Sequence, residues 1–273
     1  GGELARLRPR EVIATFKQWT LRELDLRREA ASASELADMM RAESGYLVPT
    51  IDWTRTSRRV MTLEWIDGIK LTDRDALAAA GIDLKATART LVRAFLTQAI
   101  THGFFHADPH AGNLFIMEGN VIGFIDFGMV GNLKQRHINF MAEFTLGIMK
   151  KDPKSLAKAL LKLSDVRYFA QMEELEFEME KVLQRYAFLP VAKINIGEIL
   201  QESINVVVKY HLHIPSSFFT LLKAIATIEK FAVNLDPEMA LIGVMHKHAF
   251  QILKNRYGLK TIAGNLYHAV GDY

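Results

Sequence analysis

The chain has 273 residues and not one cysteine. Disulfides, thiolate metal ligands and a cysteine nucleophile are excluded, and the composition is compatible with a reducing compartment. Also missing is any run of about 18 uncharged apolar residues, the length that a membrane-spanning helix needs. The two most apolar stretches, 91–105 and 214–235, are broken by charge, at Arg93 and at Lys223, Glu229 and Lys230. Neither sign of charge dominates: 34 basic and 31 acidic residues leave a net +3. That balance gives no ground for a nucleic-acid partner. Internal repeats, low-complexity segments and an apolar signal core in the opening GGELARLRPR are lacking too. Nor does the chain open on methionine; a charged helical segment starts at once, so a piece of a longer protein is expected.

What is present reads as an ordinary globular chain, 49% hydrophobic and 24% charged. It is long enough for one large domain or two lobes. Pro9 and an apolar stripe to Met40 predict one helix or two over 9–43, with Gly45 as the stop and Thr20 and Glu23 as a capping box. Residues 46–53 and 58–66 read as strands of a hairpin that ends at Asp67-Gly68. Asp83 should cap a strong helix that runs to Gly103. Short strands are expected at 114–117 and 121–126 around the turn Glu118-Gly119-Asn120. Beyond about 134 the pattern is helical, over 134–150, 153–163, 171–187, 197–211, 215–233 and 236–255. The fold class is α+β and predominantly helical.

The chemistry concentrates at 106–128, HADPHAGNLFIMEGNVIGFIDFG. Asp108 and Asn113 share one loop. Asn113 leads into the hairpin whose return strand ends at Asp126, so Asn113 and Asp126 should lie close together. A carboxylate and an amide oxygen are hard ligands suited to Mg²⁺. Asp108 beside them can position or deprotonate a hydroxyl or a water. Gly128 is expected to supply an unusual backbone angle after Asp126. A competing reading takes His106-x-Asp108-x-His110 as part of a zinc-hydrolase site, but the remaining histidines supply no second cluster. His106 then reads as a brace for its loop. The plainest alternative makes Asp108 and Asp126 loop caps and Asn113 a turn residue.

Asp108, Asn113 and Asp126 follow the H-x-D-x-x-x-x-N and D-F-G pattern of the protein-kinase catalytic and metal loops. More closely, HADPHAGN with IDFG after it resembles the UbiB/ADCK family of atypical kinases, whose loop reads HADPHPGN; Ala111 stands in place of the proline. ELDLRREA at 23–30 is similar to that family's E-x-D-x-x-x-E-A segment, LEWIDG at 63–68 to its hinge, and 213–239 to the segment around its L-D-P motif. The resemblance implies a protein-kinase-like fold with a partial N-lobe over 1–66, a helical C-lobe over 67–240 and a helical extension over 241–273. It implies an Mg-ATP-dependent kinase or ATPase linked to ubiquinone biosynthesis. Asn113 and Asp126 would hold Mg²⁺ and Asp108 would be catalytic. Glu29 would pair with the ATP-binding lysine, Glu23 and Asp25 would face the site, and Glu64, Trp65 and Ile66 would meet adenine.

The family's K-x-G-Q segment, Ala-rich loop and ATP-pairing lysine have no counterpart in the sequence, whose first lysine is Lys17. The chain by itself is therefore expected to bind ATP weakly or not at all. After Gly128 only a few residues precede the next helix, which leaves no platform for a peptide and favours a small-molecule or lipid-like substrate, or water. The resemblance admits peripheral membrane association in the cytoplasm, or a mitochondrial or plastid setting in a eukaryote, and says nothing of oligomeric state. Two other classes remain open: a phosphotransferase of the aminoglycoside or choline kinase type, and a non-catalytic pseudokinase-like scaffold. The intact Asp108, Asn113 and Asp126 speak against the scaffold. The segments at 23–30 and 213–239 speak for the first reading over the phosphotransferase.

Overall fold

The computed structural model describes residues 24–190 and 193–250. Glu23, the capping box at Thr20 and the helix expected from Pro9 lie outside these residues. The first described helix, α1 (Leu26–Met39), starts where the Asp25 carboxylate accepts from the Arg27 amide. It buries Ala30, Ala33 and Leu36. It ends well before Gly45, whose left-handed backbone (φ 86°) instead turns the chain into β1 (Tyr46–Leu47).

The expected pair of strands at 46–53 and 58–66 is mostly irregular. Only Tyr46 and Leu47 form a strand, and they pair in parallel with β5 (Val121–Phe124). The hairpin itself survives as one bridge, Ile51 to Leu63, with the Asp52 amide donating to the Thr62 carbonyl at 2.9 Å. The reason lies at Asp52. Its side chain captures the amides of Thr54 and Arg55 and winds Trp53–Arg55 into a short 3₁₀ turn, which competes with the extended ladder.

Two more strands complete the main sheet, β2 (Ile69–Lys70) and β4 (Leu114–Met117), in the order β1-β5-β4-β2. Between them come α2 (Arg74–Ala79) and α3 (Leu84–Leu96), whose N-cap is Asp83 as expected. The chain continues from α3 into a π-helical turn, Thr97–His102, and stops at left-handed Gly103. A second, two-stranded ribbon pairs β3 (Phe104–His106) with β6 (Val130–Asn132).

The helical body follows as α4 (Gln135–Met149), α5 (Pro153–Leu163), α6 (Met172–Tyr186), α7 (Ile196–Lys209) and α8 (Ser216–Leu235). Residues 241–250 are helical, whereas 236–240 are not, so the last helix starts later than the pattern suggested. α8 packs on both α3 and α7 and so ties the body to the helix that precedes the 106–128 stretch. Phe95, Phe105, Phe124, Phe127, Phe144 and Phe218 are fully buried, each contributing about 1.5–3 kcal/mol through burial. No helix among the described residues is long and apolar enough to cross a membrane.

Candidate catalytic and metal site

The β4–β5 hairpin brings its two functional ends together. Leu114 pairs with Phe124, and just beyond them the Ile125 amide donates to the Asn113 carbonyl at 3.0 Å. Asn113 and Asp126 therefore flank one closed hairpin end. Asp126 adopts a left-handed backbone (φ 61°) and its Oδ1 accepts from the Gly128 amide at 3.3 Å. The unusual angle thus belongs to Asp126 itself, not to Gly128. A short polar side chain that bonds its own backbone two residues on is what makes that conformation tolerable outside glycine.

His106 joins the two loops. It is fully buried, with its ring between Phe124 and Phe127. The Asp108 amide donates to its Nδ1 at 3.2 Å, and its Nε2 lies 3.1 Å from the Ile125 carbonyl oxygen. A carbonyl only accepts, so Nε2 carries the hydrogen and the ring is neutral. Burial pushes its pKa below the usual histidine value. Both ring nitrogens are thus committed, which removes His106 as a zinc ligand and confirms it as a brace. Its backbone amide in turn donates to the buried Gln98 side chain at 3.1 Å, and Gln98 is delivered by the π-helical turn. Such turns recur at functional positions.

Asp108 has a partner that sequence reasoning missed. Lys223 of α8 places its Nζ 2.8 Å from Asp108 Oδ1, across 115 residues of chain. The only hint in the sequence was a lysine interrupting an apolar helical run. The pair is half exposed, so it gains little stability, and its effect is local: it holds the carboxylate in one orientation with a counter-ion beside it.

The upstream residues divide. Glu29 reaches the D-F-G turn from α1, where its Oε1 accepts from the Phe127 amide at 3.2 Å. Asp25 is engaged locally instead: Arg27 grips both its oxygens at 2.9 and 2.8 Å and holds its pKa down at about 2. Glu64 is folded into its own hairpin, with its amide donating to the Thr50 carbonyl and its Oε2 accepting from the Thr50 amide at 3.1 Å. Trp65 is 88% exposed. Ile66 covers β5, where a Cβ on Gly123 would meet its Cδ1 at 3.1 Å.

A divalent cation fits the residues at the hairpin end. Asn113 is buried, and its Nδ2 has no hydrogen-bond partner among the described residues. An orphaned buried donor of this kind is destabilising by about 1–3 kcal/mol and is left for an acceptor, so the ligand that Asn113 would offer a cation is its Oδ1. The available donors, an amide oxygen and the Asp126 carboxylate, are hard. Mg²⁺ takes one or two such protein ligands and completes its shell with phosphate and water. Among the described residues no group of three His, Cys, Asp or Glu side chains converges on a metal position, as a zinc site would require.

Residues 3–160 match the model of the ABC1 atypical kinase-like domain, and residues 179–240 match that of the UbiB helical domain. A probable protein kinase UbiB of Xanthomonas campestris pv. campestris (strain B100) is 33% identical over 268 residues, covering 96% of this chain and 48% of that protein. The protein of the same description from Xylella fastidiosa (strain M12) is 33% identical over 259 residues, covering 92% of this chain and 47% of that protein. The chain spans about half the length of the curated relatives it matches. A solved complex of Rv3197 with erythromycin from Mycobacterium tuberculosis superposes with a TM-score of 0.54 at 19% identity, over 84% of this chain and 60% of that one. That likeness concerns the fold alone.

Proposed function

Because the chain belongs to the ABC1 family of atypical kinases, we propose that it carries the catalytic and metal-binding half of an Mg-ATP-dependent kinase or ATPase site. The observation that carries this reading is the closed hairpin end, with the Ile125 amide on the Asn113 carbonyl at 3.0 Å. It supports the reading by bringing the backbones of Asn113 and Asp126 together at the start of the D-F-G turn. Asn113 and Asp126 would hold Mg²⁺, which supplies charge neutralisation for the transferring phosphoryl group. Asp108 orients the attacking hydroxyl or water and takes its proton. Lys223 keeps the Asp108 carboxylate turned toward one place. His106 ties the loops of Asp108 and Asp126 into one unit, and Glu29 fixes the D-F-G backbone from α1. Trp65 and Ile66 are the residues we assign to adenine, with Glu64 holding the hinge hairpin closed. Asp25 acts as a helix cap in the described residues, and a role for Glu23 and Asp25 at the site is an assignment by likeness to the family.

The acceptor we favour is a small molecule or water. The return strand β6 pairs back onto β3 and α4 follows at once, at Gln135, so the stretch that would seat a peptide is short. We assign the whole protein a supporting role in ubiquinone biosynthesis, on the strength of its relatives' UbiB designation. The 273-residue chain by itself should turn over little ATP, because no lysine precedes Lys17 to clamp the phosphates.

The test is Asp126→Asn in the protein extended to the length of its relatives. Mg²⁺-dependent ATP turnover should fall to background, while His106 and Glu29 keep the fold. Wild-type turnover in that variant would overturn the metal assignment.

A further inference from the structure

Between α7 and α8 lies an open cavity of about 610 Å³ whose wall includes Lys223. Lys223 is thus shared between the cavity wall and the ion pair at Asp108. The α8 wall is a single stripe. Phe219, Lys223, Ala226, Lys230 and Val233 advance by four and three residues alternately, and all line the cavity. From Lys223 to Val233 the stripe is about 15 Å long, at 1.5 Å per residue. Phe219 is 46% and Val233 40% exposed, although the other faces of α8 are packed against α3 and α7.

The charges of the cavity are set as follows. Glu229, at its base, is buried and spends both carboxylate oxygens on the amides of Ile196 and Gly197, at 3.0 Å each. It caps α7 and is not available to a ligand. Glu198 on the α7 wall is exposed. On the α8 wall two ammonium groups stand two helical turns apart with the small Ala226 between them. Lys230 makes no ion pair among the described residues.

A purely polar ligand would leave Phe219 in water, and a purely apolar one would desolvate Lys230 without a partner. We propose that this cavity binds a small anionic amphiphile, with its head over Ala226 between Lys223 and Lys230 and its apolar body against Leu222 and Phe219. Ala226 is the position that leaves room for the head. A head on Lys223 competes with Asp108 for the same ammonium, so occupancy and the freedom of the Asp108 carboxylate are coupled. That coupling rests on the reading of Asp108 given above; the binding does not.

The test is calorimetry on the 273-residue chain without nucleotide, so its outcome is independent of any turnover assay. Octyl phosphate, kept below its micellar concentration, should bind saturably at one site per chain. Losing one charge-assisted contact should weaken binding by about tenfold, so Lys230→Glu, which reverses the charge, should weaken it at least that much. Ala226→Trp, on an exposed position, should abolish it. Octanoate should bind as octyl phosphate does if any anionic head serves, and more weakly if the site selects phosphate; either result keeps the site. Inorganic phosphate and octyl glucoside should each bind at least about tenfold more weakly, because each lacks half of the ligand. Absence of saturable binding by octyl phosphate would overturn the proposal. So would unchanged affinity in Ala226→Trp and Lys230→Glu with unaltered circular dichroism, or equal binding of inorganic phosphate or octyl glucoside.

Discussion

Gly131→Ala is the sharpest test of how the site is held. Gly131 sits in β6 directly opposite Phe105 of β3. An added Cβ would overlap the outer edge of the Phe105 ring at Cζ and Cε1, and even the more distant Cε2 would be only 2.8 Å away. The ring has nowhere to go. Phe105 is fully buried and stands edge-on against the equally buried Phe95, with ring centroids 6.0 Å apart. Extra methyl groups in well-packed cores cost about 1–3 kcal/mol, and a clash of this depth belongs at or above the top of that range. Urea unfolding of the chain, followed by circular dichroism, should therefore show a loss of about 3 kcal/mol with an unchanged m-value. Phe105→Leu in the same background should recover part of it, with a favourable coupling of at least about 1 kcal/mol in the double-mutant cycle. A loss below about 1 kcal/mol, or strictly additive effects, would refute the packing argument. It would also remove the reason for thinking that the β3–β6 ribbon fixes His106, the residue next to Phe105.

The remaining expectations are smaller in scale. In a cycle of Lys223→Met and Asp108→Asn, the coupling energy should be only about 0.2–1 kcal/mol, because Lys223 and Asp108 are 56% and 32% exposed; a coupling above about 2 kcal/mol would mean that the pair is shielded from water. His106 is held neutral with its pKa lowered by burial, so its contribution is present above the unfolded value of 6.5 and is lost as the pH falls from there through the lowered folded value. Unfolding free energy should drop on acidification by up to about 1.4 kcal/mol per pH unit for this group, and His106→Gln should flatten that slope; an identical pH profile would contradict the assignment. Glu229 has the opposite sign: burial raises its pKa above the ordinary 4.5 against the pull of the two amide hydrogen bonds, so its contribution is present below 4.5 and is lost as the pH rises through the raised folded value. Stability measured from pH 4 upward should fall in the wild type relative to Glu229→Gln, and a variant that tracks the wild type would show that Glu229 does not titrate in the fold.

The legible parts of the sequence were those written in local chemistry. Asp83 and Asp152-Pro153 announce helix starts that the fold uses, and α5 spans Pro153–Leu163 as expected. The predominantly helical α+β class and the kinase-like family were both readable from motif and period. What escaped was the competition between neighbours in the chain. Val60, Thr62 and Trp65 favour a strand, yet Asp52, on the opposite arm, draws its own following amides into a 3₁₀ turn and leaves a single bridge at Ile51 and Leu63. The same applies to the D-F-G turn. Glycine is the default bearer of an unusual angle, so Gly128 was the natural choice, but the Oδ1 of Asp126 bonds the Gly128 amide and takes the left-handed conformation onto Asp126.

Long-range partners were the other loss, and they alter how the two matched regions relate. Asp108 belongs to the kinase-like region of 3–160, whereas Lys223 belongs to the UbiB helical region of 179–240. The two meet at 2.8 Å. Glu229, two turns further along α8, accepts from the first amides of α7 and so fixes the register of the helix pair that presents Lys223. Gly197 is part of that lock, because a Cβ there would sit 3.3 Å from a Glu229 oxygen. The helical region is therefore not an appendage to the Asp108 loop. Its α8 packs on α3, the helix that leads through the Gln98 turn into His106, and the same α8 supplies the cation at Asp108. One helix thus supports the Asp108 loop from behind and pairs with it from the front. A change that shifts α8 against α3 must move the counter-ion and the brace of the Asp108 carboxylate together.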